Sequence, residues 1–106
     1  MLLAWTTVGS LDDANRLARD VIARKLAVCV QIEGPITSHY RWEDKTCEEQ
    51  EFRLCFKFLE EQHSGLQQHV LAHHPYDTPE WIVVTAEYVA EKFLSWAKAN
   101  STNPPL

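Results

Sequence analysis

A thiol and two adjacent imidazoles, Cys29 with His73 and His74, are the groups in this sequence best suited to hold a soft or borderline metal ion, because copper and zinc prefer thiolate and imidazole ligands. They lie far apart in the chain, so only the fold could unite them. The competing reading makes Cys29 a small buried hydrophobe and lets one histidine sit favourably at a helix C-terminus. His39 and His63 read as exposed surface residues. A second group, Tyr40, Trp42, Glu49, Glu51, Tyr76 and Glu80, combines aromatic rings with carboxylates. Paired carboxylates can do acid-base work when neighbours separate their pKa values. Glu49 and Glu51, two apart on a strand, share one face of it, and they read more simply as hydrogen-bond acceptors or partners of Arg41, Lys45 or Arg53. The Tyr76-Asp77-Thr78-Pro79 turn reads as a rigid connection, with Tyr76 placed to close a pocket. Neither a phosphate-cradling glycine loop, nor a nucleophile elbow, nor a Cys-x-x-Cys pair is present, so an enzyme is disfavoured.

These side chains need a scaffold, and 106 residues at 45% hydrophobic and 24% charged suit one globular domain. The formal charge of -5 disfavours nucleic acid as a partner, since phosphate contacts rest on Lys and Arg. No apolar run approaches the length of a membrane span, and the opening residues do not form a signal peptide. Three cysteines without close pairing suggest reduced thiols, and the expected location is cytoplasmic.

Apolar Leu2 to Val8 reads as a strand ending at Gly9. Ser10, with Asp12 and Asp13 behind it, caps a helix running to about Lys25. Val28, Val30 and Ile32 then alternate with Cys29, Gln31 and Glu33 until Gly34-Pro35 bends the strand, which resumes through Tyr40 and Trp42. A polar turn at Glu43, Asp44 and Lys45 leads into alternating Phe52, Leu54, Phe56 and Phe58. A second helix starts between Glu61 and Leu66, shows Leu66, Val70 and His73 on one face, and stops before Pro75. Trp81 to Ala86 reads as a strand buried on both faces. A last helix carries Val89, Phe93, Leu94, Trp96 and Ala97. Residues 1–100 form the domain, and the tail at 101–106 is expected to fray.

The order is β-α-β-β-α-β, an α/β (α+β) fold with an extra C-terminal helix, and its central hairpin is too long for it. Strands of about 16 and 13 residues span roughly 53 and 43 Å, against a domain diameter of roughly 35 Å. The overhang carries Tyr40 and Trp42, residue types enriched where proteins meet. Docking on other copies in a closed ring satisfies it; the alternative is an arm that waves in solvent or folds back on its own domain.

The chain resembles the CutA divalent-cation tolerance proteins over nearly its whole length. The resemblance rests on Lys25-Leu26-Ala27-Val28-Cys29-Val30, Tyr40, Trp42-Glu43 with Lys45, Glu49 and Glu51, His74-Pro75-Tyr76 with Pro79-Glu80, and Leu94-Ser95-Trp96. It implies a ferredoxin-like fold, a tight homotrimer built through the hairpin, an architecture like that of the nitrogen-regulatory PII signalling proteins, and binding of copper or other divalent ions such as zinc. It implies no known catalysed reaction. Thr6 stands where some members carry a second cysteine, Gln31 where asparagine is common, Asp44 at the usual turn glycine, and Thr85 and Val89 at a proline and a glycine. The expected function is a trimeric copper-binding protein of metal tolerance, with Cys29 and His73 or His74 as ligands. The alternative is a PII-like signalling or scaffold trimer that holds a small molecule or partner peptide in an intersubunit cleft lined by Tyr40, Trp42, Glu49, Glu51, Tyr76 and Glu80. Partners are further copies of the chain and the ion, with neither nucleic acid nor membrane.

Overall fold

In β1 (Leu2–Val8) alternate residues, Leu2, Ala4, Thr6 and Val8, are buried, the period of a strand with one face on a core. A computed structural model of the protein describes residues 1–101. β1 pairs antiparallel with β3 (Lys45–Phe58), whose Leu54, Phe56 and Phe58 are buried opposite Thr6, Ala4 and Leu2. β2 (Cys29–Trp42) lies outside β3 and β4 (Ile82–Thr85) outside β1, giving an antiparallel sheet in the order β2-β3-β1-β4. Two helices, α1 (Leu11–Ala23) and α2 (His63–His73), cover one face of it; Ala14, Leu17, Val21, Leu66 and Val70 close the core over Leu54, Phe56 and Phe58. With α3 (Glu91–Ala99) added, this is the ferredoxin-like order with an extra helix.

Local chemistry sets the boundaries. Ser10 Oγ accepts the Asp13 N–H at 3.1 Å and caps α1. α1 stops at Ala23 rather than Lys25, which adopts a left-handed φ of 57°. A 3-10 turn at Glu60–Gln62 precedes α2, and Gln62 is buried with its amide bonded to Leu59 N, Lys25 O and Ser101 O. Ser101 is thus anchored, and the rest of the tail expected to fray lies outside the described residues. α2 ends where Pro75 forces His74 into an extended conformation, φ -70° and ψ 137°. Its buried face is Leu66, His69 and Val70, not Leu66, Val70 and His73; His73 is exposed. Val89 precedes the last helix instead of belonging to it.

β2 and β3 are 14 residues each, and the ribbon they form draws the molecule out to 51 × 29 × 21 Å. Its radius of gyration, 15.0 Å, exceeds the roughly 13 Å of a compact chain of this size. The ladder breaks between Glu33 and Ile36, and there Gly34 has φ 149°, with a Cβ set to meet Phe52 Cδ1 at 2.7 Å. Only glycine fits this bulge. At the tip, Glu43 and Asp44 both have positive φ, 48° and 63°, as a two-residue turn between twisted strands requires.

β4 corrects the expectation of a strand buried on both faces. It is an edge strand, and only Val83 packs on the core; Ile82 and Val84 are 52% and 41% exposed. By register they share the sheet's other face with Trp5 and Leu3. α3 reaches that face beside β2, where Ala97 packs with Val28 and Leu59, and no other described element covers the remainder.

Candidate functional site

At the root of the overhanging ribbon the segment from Pro75 to Glu80 turns past the end of β1 and bounds, with β2 and β3, a cleft of about 740 Å³. Tyr40, Trp42, Glu49, Glu51, Tyr76 and Glu80 all line it within a single chain. The Tyr76 hydroxyl donates to Glu51 Oε2 at 2.9 Å, and Glu51 is only 8% exposed. Burial, and then the Glu51 carboxylate, push the Tyr76 phenol well above its ordinary range, so it remains a donor. Tyr40 is pushed up to about 12 by desolvation and then by the neighbouring Glu49 carboxylate. Trp42, 53% exposed, forms the outer wall toward the tip.

The pairing of Glu49 and Glu51 with basic residues across the ribbon does not occur. Arg53 turns instead to Glu33, whose Oε1 lies 2.7 Å from Nη2 and 2.8 Å from Nε of the guanidinium. Among the described residues neither Glu49 nor Glu51 has an ion pair.

Behind the cleft, on the helix-covered side of β1, His74 anchors the loop. Its Nδ1 accepts the Tyr76 backbone N–H at 3.0 Å, which leaves the proton on Nε2. Nε2 lies 2.9 Å from Thr6 Oγ1, which donates its own proton to the Glu80 carbonyl at 2.6 Å. The relay fixes the neutral tautomer with both ring nitrogens engaged. Burial agrees by lowering the imidazole pKa. His74 therefore joins β1 to both ends of the Tyr76–Glu80 turn, and the same turn delivers the Tyr76 hydroxyl to Glu51.

A single chain does not bring the expected metal set, Cys29 with His73 and His74, together. Cys29 pairs by register with Lys57, and through β3 with Leu3, on the opposite face of the sheet from Thr6 and His74. It packs against the cluster of Val28, Leu59 and Ala97. His73 is exposed, with Nδ1 2.9 Å from the His69 carbonyl and its ring stacked on His69 at 4.2 Å. Among the described residues no three His, Cys, Asp or Glu side chains converge on one ion position. Thr6 supplies a hydroxyl beside His74 where a soft ion needs a thiol, so the residues present do not fit a copper or zinc centre in one chain.

Histidines behave differently from one another. His39 is exposed beside Glu48, at 3.4 Å. His63, expected on the surface, is half-buried against Phe58, ring centroids 5.6 Å apart, with Nε2 enclosed and without a hydrogen-bond partner among the described residues. His69, which sequence reasoning passed over, is buried with Nε2 2.7 Å from Asp20 Oδ2 but poorly aligned for a hydrogen bond. Ser38 was missed as well, and Asp77 and Thr78, read only as part of a rigid turn, also line the cleft. The signal for Ser38 was present, since it lies two residues before Tyr40 on the same strand face.

The relatives of this chain agree with its architecture. The family model for the CutA1 divalent ion tolerance protein matches residues 2–100. The divalent-cation tolerance protein CutA of Yersinia pestis is 38% identical over 87 residues, covering 82% of this chain and 73% of that protein. The chloroplastic protein CutA of Arabidopsis thaliana is 33% identical over 102 residues, 96% of this chain, and this chain spans 56% of its length. The crystal structure of CutA1 from Oryza sativa superposes with a TM-score of 0.91 at 35% identity, covering 97% of this chain and 94% of that one. CutA from Synechococcus elongatus gives a TM-score of 0.91, also at 35% identity, over 95% and 89% of the two chains. With its ferredoxin-like sheet, long ribbon and ordered Pro75–Glu80 turn, the chain belongs to the CutA1 divalent ion tolerance family.

Proposed function

We propose that this protein acts in divalent-cation tolerance as a homotrimeric, PII-like binding module whose working site is the cleft at the hairpin root, completed where copies meet. One observation carries the proposal: the buried Glu51–Tyr76 pair opens into a cleft of about 740 Å³, a volume suited to a small molecule. Support for assembly comes from the overhanging ribbon and from the uncovered sheet face bearing Leu3, Trp5, Ile82 and Val84; apolar patches of this kind mark interaction surfaces, and a closed ring satisfies all copies equally. The role is binding rather than catalysis, because both Glu51 and His74 are held in structural hydrogen bonds. The free Cys29, Cys47 and Cys55 thiols suit a reducing compartment such as the cytoplasm.

Copper held by Cys29 with His73 or His74 draws support from the family description alone. In one chain the sheet separates the thiol from His74, so an ion shared by them has to bridge copies. Sedimentation at micromolar concentration tests the assembly: a mass of three chains is expected, and a mass of one chain overturns it. Copper titration is expected to give the same affinity for wild type and for Cys29→Ala/His74→Ala.

A further inference from the structure

We propose that the cleft takes a small organic cation, a protonated amine or guanidinium with an alkyl body, rather than a bare metal ion. The inference rests on reading this cleft as the ligand site. Its walls carry the carboxylates of Glu49, Glu51, Asp77 and Glu80, and among the described residues no Lys or Arg lines it. The field inside therefore favours a cation.

Two features select an organic one. A hard divalent ion needs several oxygens converging at roughly 2.0–2.6 Å, and no such convergence exists among the described residues. Tyr40, Trp42 and Tyr76 contribute aromatic surface to the same walls; such faces attract ammonium and guanidinium groups and accommodate the attached methylenes, which a metal ion lacks. Glu51 gives the anchoring point. Oε2 accepts from Tyr76, whereas Oε1 has no hydrogen-bond partner among the described residues, on a side chain that is 8% exposed. Oε1 is not among the sealed atoms of the chain, so it is open to the cleft and free to accept a hydrogen bond from a ligand there. An ammonium or guanidinium N–H supplies one, while the chain behind it lies along Trp42.

Calorimetric titration of the full chain in its native assembly, at low salt, tests the inference with putrescine, agmatine and the neutral isostere 1,4-butanediol. Binding of the amines and not of the diol is expected. Trp42→Ala should weaken it about fivefold, as loss of a cation-π contact predicts. Glu49→Gln, a change at an exposed residue that spares the fold, should weaken it by a similar factor. Amine binding that is indifferent to both substitutions is surface attraction and overturns the proposal. Trp42-dependent binding of the diol without the amines overturns the cation and leaves the cleft standing as the ligand site. Absence of Trp42-dependent binding for every probe overturns both.

Discussion

The inner and outer halves of the β2–β3 ribbon share one backbone ladder and live in opposite surroundings. From Phe58 back to Leu54, alternate β3 side chains are sealed beneath α1 and α2. Beyond the break at Gly34-Pro35 the partners become Ile36 with Glu51, Ser38 with Glu49, Tyr40 with Cys47 and Trp42 with Lys45, and among the described residues no helix covers them. Strand pairing alone thus tells nothing about what a strand is for. The inner half holds the domain together by apolar burial, the outer half presents recognition chemistry, and Glu51 stands at the change, still buried but already polar.

The sharpest way to break this contrast is to truncate each half. Phe56→Ala should lose about 3–5 kcal/mol in urea unfolding, the transfer and cavity cost of a buried phenylalanine. Tyr40→Ala should leave far-UV circular dichroism unchanged and alter association. Equal damage from the two would show that the ribbon is one cooperative unit. At the junction, Gly34→Ala should cost about 2 kcal/mol or more, because the added methyl meets Phe52 at a φ of 149°. Tyr76→Phe removes the donor to Glu51 and should cost about 1.5 kcal/mol, the lower range for a hydrogen bond to a charged group. A smaller effect belongs to pH. Burial lowers the folded-state pKa of His74, so the unfolded chain binds more protons and stability declines on acidification through about 6.5, the free imidazole value. A melting temperature that falls from neutral to mildly acidic pH, with a shallower fall in His74→Gln, is the expected result.

Much of this contrast was legible in the residues. Period-two alternation places Phe52 to Phe58 and Val28 to Ile32 correctly, and Pro75 sets the end of α2. The same alternation already sends Cys29 the opposite way from Val28 and Val30, and Thr6 the same way as Leu2 and Ala4; the separation of Cys29 from His74 follows once the pairing of β1, β3 and β2 is known, and pairing is a tertiary fact. β4 misled because a continuous apolar run predicts two covers, whereas one chain supplies only α2 and Trp81 on one side. His69 misled for the converse reason. α2 is too polar to supply a third apolar residue to its buried face, and the place is filled by an imidazole beside Asp20 of the neighbouring helix.

Thr6 carries a last consequence. Its hydroxyl receives the His74 proton-bearing nitrogen and passes its own proton to Glu80, fastening the loop that shapes the cleft. Peroxide converts an accessible thiolate to sulfenic acid but leaves an alcohol intact. With an alcohol in this position, enclosed at 0% exposure, the fastening of the loop contains no sulfur that oxidants could attack.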